Sequence, residues 1–179
     1  MRWFWIDRFV EFQRGRRAVA IKNVALGCEA MDEELPGYPV FPMSLIVEGL
    51  AQTGGLLIGE FREFRERVVL AKIAKAHFHR PALPGDTLTY VATLDDIKGD
   101  GAFCNCKSMI GDQLQGEVEL MFAHLDDRNQ RELFEPAEFL RLLRMLQLFT
   151  VGKKDNGSPL DIPKHLLDAE RQLFADAAL

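Results

Sequence analysis

Residues 35–59 read LPGYPVFPMSLIVEGLAQTGGLLIG, and Glu48 is the only charge among them. A carboxylate in apolar surroundings is costly unless it has a partner or a task. The run offers no Lys or Arg to neutralise it. Pro42 suits the first turn of a helix, where its missing N–H costs nothing, and that helix is expected to run to about Glu60. A helix that is apolar nearly all round is a buried one. Ser44, Glu48 and Gln52 are spaced four apart and line up as one polar stripe on it. Such a stripe faces a cavity, a ligand or another subunit. The plainer alternative is a buried structural acid bonded to backbone N–H groups. Gly49, Gly54, Gly55 and Gly59 are poor helix formers, so the helix is expected to approach a packed surface closely, which missing side chains permit.

Outward from this helix the pattern changes to a period of two. Upstream, residues 3–12 read as an extended segment, Gly15 as a turn and residues 17–24 (RAVAIKNV) as a strand. Downstream, residues 62–67 are a charged connector, and strands are expected over residues 68–79, 87–97, 102–110 and 114–125. Leu88, Tyr90, Ala92 and Leu94 alternate onto one face of the second of these. In the last, Leu114, Val118, Leu120 and Phe122 share a face. Pro84-Gly85-Asp86, Gly99-Asp100-Gly101 and Gly111-Asp112 supply the turns. An antiparallel meander after one buried helix packs naturally as a sheet wrapped around it. Residues 126–134 are polar and mark a boundary. Beyond it, Pro136 opens an amphipathic helix with Phe139, Leu142, Leu143, Leu146 and Phe149 on its apolar face. Residues 152–159 read as a linker and residues 162–178 as a second helix. The division expected is a main domain over residues 1–126 and a C-terminal helical extension over residues 127–179.

The 179 residues suffice for one domain with a substantial core. A net charge of −5 argues against general nucleic-acid binding. Three cysteines, Cys28, Cys104 and Cys106, suit a reduced cytoplasmic protein. Cys104 and Cys106 share a strand face without further metal ligands nearby, and read as small packing residues. The start, MRWFWIDRF, lacks the pattern of a secretory signal. Three prolines and Glu48 argue against a membrane span in the apolar run.

The segments PGYPVFP (residues 36–42) and LIVEGLAQ (residues 45–52) resemble the signature of the 3-hydroxyacyl-acyl-carrier-protein dehydratases. That signature is H-F-P-G-x-P-(V/I/L)-x-P-G-x-(L/M)-x-x-E-(A/G)-(M/L)-A-Q. Residues 5–8 (WIDR), 17–24, 78–81 (FHRP) and 84–86 (PGD) also resemble the family's opening strands, third strand and turn. The resemblance covers residues 3 to about 125. It implies an α+β hot-dog fold, an antiparallel sheet wrapped around the helix that carries Glu48. It implies a homodimer, or a trimer of dimers, with active sites at the dimer interface. It implies a 3-hydroxyacyl thioester substrate on acyl-carrier protein or coenzyme A, with no cofactor. In the family the motif His of one subunit faces the motif Glu of the other, which implies Glu48 as a catalytic residue here. Gly37, the residue at position 43 and Gln52 would then border the substrate, with a backbone N–H at position 43 holding the thioester oxygen.

Dehydration needs a base for the C2 proton, an acid for the departing hydroxyl and donors for the enolate-like oxygen. This chain departs from the signature at two of those points. Glu34 stands where the motif has His, and no His occurs before His77. Met43 stands where the motif has Gly, keeping the N–H and adding bulk. A carboxylate of reference pKa ~4.3 is about two units less basic than an imidazole of ~6.5. If Glu34 faces Glu48 across a dimer, two carboxyls share a small site and one holds a proton. That pair defines the dehydratase reading. A thioesterase using Glu48 alone, and a non-catalytic acyl-binding relative, are the alternatives. His77 and His79 share a strand face and read as surface or interface residues; His124 and His165 carry no further signal.

Overall fold

The computed structural model describes residues 4–28, 37–98, 101–125 and 135–176. Six strands follow the expected order: β1 (Arg8–Gln13), β2 (Arg17–Asn23), β3 (Arg67–Phe78), β4 (Thr87–Lys98), β5 (Gly101–Ile110) and β6 (Gln113–Leu125). Between β2 and β3 runs the long helix α1 (Met43–Phe61). The tail holds α2 (Pro136–Met145), α3 (Leu148–Val151), a short strand β7 (Gly152–Lys153) and α4 (Lys164–Asp176). One sheet runs β3-β6-β5-β4-β2-β1-β7, antiparallel except for the β1–β7 pair. It wraps around α1, the hot-dog arrangement.

Burial follows the strand alternation. Leu88, Tyr90 and Ala92 on β4, Ala102, Cys104 and Cys106 on β5, and Val118, Leu120 and Phe122 on β6 all point inward. They meet Ile46, Leu50, Leu57 and Ile58 of α1, each fully buried. Burying a side chain of that size stabilises by about 1.5–3 kcal/mol, so the α1–sheet contact contributes substantially to stability. Leu114 was expected on the inward face of β6. A register shift between Ser108 and Met109 turns the start of β6, and Gln115 is buried instead, donating to the Arg80 carbonyl at 2.8 Å. A bulge inserts one unpaired residue and flips the alternation beyond it.

Only some of the α1 glycines mark close approach. A Cβ on Gly49 would lie 2.4 Å from the Tyr90 ring and 2.9 Å from the Trp5 carbonyl oxygen. At Gly54 and Gly55 it would make ordinary contacts with Phe122. Pro42 is the N-cap of α1 rather than a residue of its first turn, and no side chain caps the helix there. The helix ends sharply because Glu63 and Phe64 adopt φ of 54° and 55°. Left-handed backbone costs a non-glycine residue of order 1–2 kcal/mol. The turn folds back, with the Phe64 N–H bonded to the Gly59 carbonyl at 2.7 Å.

The tail joins the main fold. Leu140, Leu142, Leu143, Leu146 and Leu148 belong to the same core as α1 and the sheet. The Phe9 N–H donates to the Leu146 carbonyl at 2.8 Å. The single helix expected through Phe149 is broken at Gln147, whose φ of 58° separates α2 from α3. The expected linker begins with β7, which pairs with β1 at Phe12 and Gln13. The expected boundary at 126–134 and the turn at 99–100 lie outside the described residues.

Candidate active site

The polar stripe of α1 lies on the side turned away from the sheet. Ser44 and Glu48 are exposed and Gln52 is half-buried. The expectation that Glu48 is sunk in the fold is therefore corrected for the single chain. The sheet takes up the face bearing Ile46, Leu50 and Leu57, so the stripe at 44, 48 and 52 faces outward.

Glu48 is held by neighbours. Its Oε1 accepts from Gln52 Nε2 at 3.0 Å. Gln52 Oε1 in turn accepts the Trp5 backbone N–H at 2.9 Å. Trp5 packs edge-on against Phe41 with ring centroids 5.8 Å apart. The carboxylate is thus tied through one amide to the residues before β1 and to the loop before α1. Met43, the first residue of α1, is exposed, and Gly37 has a φ of 81°, a conformation natural to glycine. Glu34 lies outside the described residues.

A cavity of about 780 Å³ opens beside the stripe. From α1 it is lined by Glu48, Gln52, Gly55, Leu56 and Gly59, and from the sheet by Val68, Leu70 and Phe122. Phe64 stands at the turn after α1. The far wall comes from the tail: Pro136, Phe139, Leu142, His165 and Leu166. The volume lies within the ~300–1,000 Å³ typical of small-molecule pockets. Arg65, Glu66 and Arg67 also line it, beside the turn after α1, so the walls combine an apolar strip with two carboxylates, two guanidinium groups, an imidazole and an amide. The apolar strip suits a greasy ligand with a polar head.

Sequence reasoning missed the contribution of the tail. Phe139 and Leu142 were legible as an apolar helix face, but nothing in the sequence said what it covers. His165 gave no signal, yet it is an imidazole in the same cavity as Glu48. His77 lies on the edge strand β3 and His79 just past its end, and neither lines the cavity. Their rings meet edge to face at 4.6 Å, and His79 lies 3.7 Å from Glu117. His124 Nδ1 is 3.0 Å from Glu66 Oε2. Cys104 and Cys106 are buried in the core. Burial pushes the Cys104 thiol up to about 12, and the Cys106 thiol is raised by the same cause. Among the described residues no cluster of His, Cys, Asp or Glu could hold a metal ion. No described helix is long and apolar enough to cross a membrane.

Comparison with known proteins then settles the family. A FabA-like domain model matches residues 3–113, more than half of the chain. The chain belongs to the FabA-like family. Among the relatives of this FabA-like chain is the 3-hydroxyacyl-(acyl-carrier-protein) dehydratase FabZ of Desulforamulus reducens, 37% identical over 119 residues, covering 66% of this chain and 84% of the relative. The FabZ of Staphylococcus aureus is 40% identical over 122 residues, covering 68% and 84%. A thioesterase structure from Haemophilus influenzae shares the fold at 15% identity, with a TM-score of 0.54 over 65% of this chain and 77% of that one. The match of the FabA-like model ends before β6 is complete, so the whole tail lies outside it.

Proposed function

We propose that this FabA-like protein is a 3-hydroxyacyl-thioester dehydratase-like enzyme of acyl-chain biosynthesis, acting on a substrate carried by acyl-carrier protein or coenzyme A. The observation that carries the reading is Glu48, held by Gln52 at a cavity whose walls are largely apolar.

In this reading two carboxyls do the work, Glu48 and the Glu34 of a second copy. One, ionised, takes the C2 proton of the thioester. The other, protonated, gives its proton to the C3 hydroxyl, and water leaves as the C2–C3 double bond forms. One carboxylate and one carboxyl remain afterwards with their roles exchanged, so proton transfer between them or through water resets the site. The N–H of Met43, at the positive end of the α1 dipole, polarises the thioester carbonyl. Gly37 allows the chain to turn beside it. Gln52 keeps the Glu48 carboxylate aimed.

The second copy is argued from the sheet edge. β3 is a terminal strand of twelve residues and exposes Leu70 and Ile73. A long exposed edge strand is open to pairing, and a homodimer joined there brings two α1 stripes toward one seam. A trimer of such dimers is the larger assembly proposed. A reduced compartment such as the cytoplasm fits three free thiols.

The test is incubation with a crotonyl thioester while enoyl absorbance and free thiol are followed. Loss of enoyl signal without thiol is the result expected. Thiol release indicates the thioesterase alternative, in which Glu48 activates water or attacks the thioester without a His. Tight acyl binding with neither signal indicates a non-catalytic acyl-binding protein.

A further inference from the structure

The cavity continues well past Glu48. Its α1 floor passes Gln52, Gly55 and Leu56 and ends at Gly59. Eleven residues of helix rise about 16 Å, so the floor is a long track rather than a pit. Two of its members, Gly55 and Gly59, carry no side chain, and the groups that come nearest to them are the rings of Phe122 and Phe64, both of which line the cavity. Leu56, Phe64, Leu70 and Phe122 make an apolar strip along this track, bordered by Arg65, Glu66 and Arg67 just after α1 and by His165 of the tail. An apolar strip that starts at a carboxylate matches a thioester head followed by an alkyl chain.

The end of the track is closed by residues outside the family match. Phe139 packs edge-on against Phe64 with ring centroids 5.3 Å apart and an interplanar angle of 80°. Phe64 is held there by the left-handed turn that ends α1. Leu142 on α2 and Leu166 on α4 complete the wall, and both are buried. The wall is anchored: Arg144 and Glu170 form an ion pair between α2 and α4, and β7 ties the tail to β1.

We propose that the C-terminal extension is the acyl-length gauge of this enzyme, with Phe139, Leu142 and Leu166 forming the stop that the end of the acyl chain meets. The inference rests on the reading of Glu48 as the thioester end of the site. It assigns the tail a part in substrate selection. Phe139 is the sharpest determinant, because its ring is large, half-buried and packed edge-on against Phe64.

The test uses the full-length protein and a ladder of substrates from 3-hydroxybutyryl to 3-hydroxypalmitoyl thioesters. For each length kcat/KM is measured, and the binding of the matching saturated acyl-pantetheine thioester is measured by calorimetry. Phe139→Ala is expected to raise the long-to-short ratio of kcat/KM by about tenfold or more, the effect of one or more methylenes in an apolar pocket. Phe139→Trp is expected to move the ratio the other way. Phe174→Ala, on an exposed position of α4, is the control and leaves the ratio as in the wild type. Phe139→Leu replaces Phe139→Ala if the latter fails to fold, as judged by thermal melting. Turnover with a length profile that neither Phe139 variant changes overturns the gauge and leaves the dehydratase reading intact. No turnover, with a binding limit that shifts in Phe139→Ala, keeps the gauge and overturns the dehydratase reading. Neither turnover nor acyl binding overturns both.

Discussion

Gln52 bridges Glu48 and the backbone of Trp5, donating to the carboxylate at 3.0 Å and accepting the N–H at 2.9 Å. One side chain therefore sets the aim of the acid and fixes the segment that leads into β1. Glu48→Gln is expected to lower turnover of a 3-hydroxyacyl thioester by about a hundredfold or more, the range of a lost acid–base group. Its melting temperature is expected to stay near that of the wild type, because the side chain is exposed in the single chain. Gln52→Ala should lower both. It removes the donor to Glu48 and leaves the Trp5 N–H without its acceptor, at about 1–3 kcal/mol if that group stays buried. Steady-state kinetics and melting curves on the two variants separate the roles. An unchanged melting temperature in Gln52→Ala would contradict the bridging role.

Glu34→His restores the residue of the family signature. The variant is expected to raise dehydratase turnover by about tenfold or more, since an imidazole is about two units more basic than a carboxylate. The readout is enoyl absorbance against the wild type at neutral pH. No gain would show that the obstacle lies elsewhere, with the bulk of Met43 the first place to look.

The close approach at Gly49 gives a stability prediction independent of function. Gly49→Ala puts a Cβ 2.4 Å from the buried Tyr90 ring and 2.9 Å from a backbone oxygen. Overpacking of this kind costs about 1–3 kcal/mol, more than the roughly 1 kcal/mol that alanine gains in helix propensity. Denaturant unfolding should show a net loss. Adding Tyr90→Phe should not recover it, because the clash is with ring carbons and the Trp5 carbonyl rather than with the hydroxyl.

Much of the fold was legible because it is local. The strict alternation at Leu88, Tyr90 and Ala92 and the unbroken apolar run into α1 each fix an element without reference to the rest of the chain. The candidate site was half legible. The stripe of Ser44, Glu48 and Gln52 follows from spacing, and its cavity could be expected on physical grounds. Its exposure could not, because that depends on which face of α1 the sheet covers. The break at Gln147 was hidden because no glycine or proline marks it. The far wall of the cavity was hidden for a different reason. Phe139, His165 and Leu166 come to the cavity beside α1 only through long-range packing, and an amphipathic pattern says that a face is covered without saying by what.

The thiols report on the same core. Cys104 and Cys106 are buried, with the Cys104 thiol raised to about 12 by burial and Cys106 raised likewise, whereas Cys28 is half-exposed. The reactive species is the thiolate. A chromogenic disulfide reagent at mildly alkaline pH should therefore modify one thiol of three in the native protein and all three after denaturation. Rapid native modification of two or three would mean that the β5 face against α1 opens readily.

Glu60 gives the pH prediction. It ends the buried face of α1 at 3% exposure, and burial raises its carboxyl above the ordinary 4.5, with Arg14 at 3.5 Å pulling the other way. A folded-state value above the unfolded one makes a contribution that is fully present below the unfolded value. It is lost as pH rises through the folded one. Ionising Glu60 therefore opposes folding as pH rises from the ordinary 4.5 through the raised folded-state value. Glu60→Gln removes that titration, so the melting temperature of the variant should gain on the wild type over this interval. Below the unfolded value both side chains are neutral, and the gap should be at its most unfavourable to the variant. Melting curves of both proteins across the interval test this. A gap that stays constant with pH would mean that Arg14 offsets the burial of the carboxylate in full.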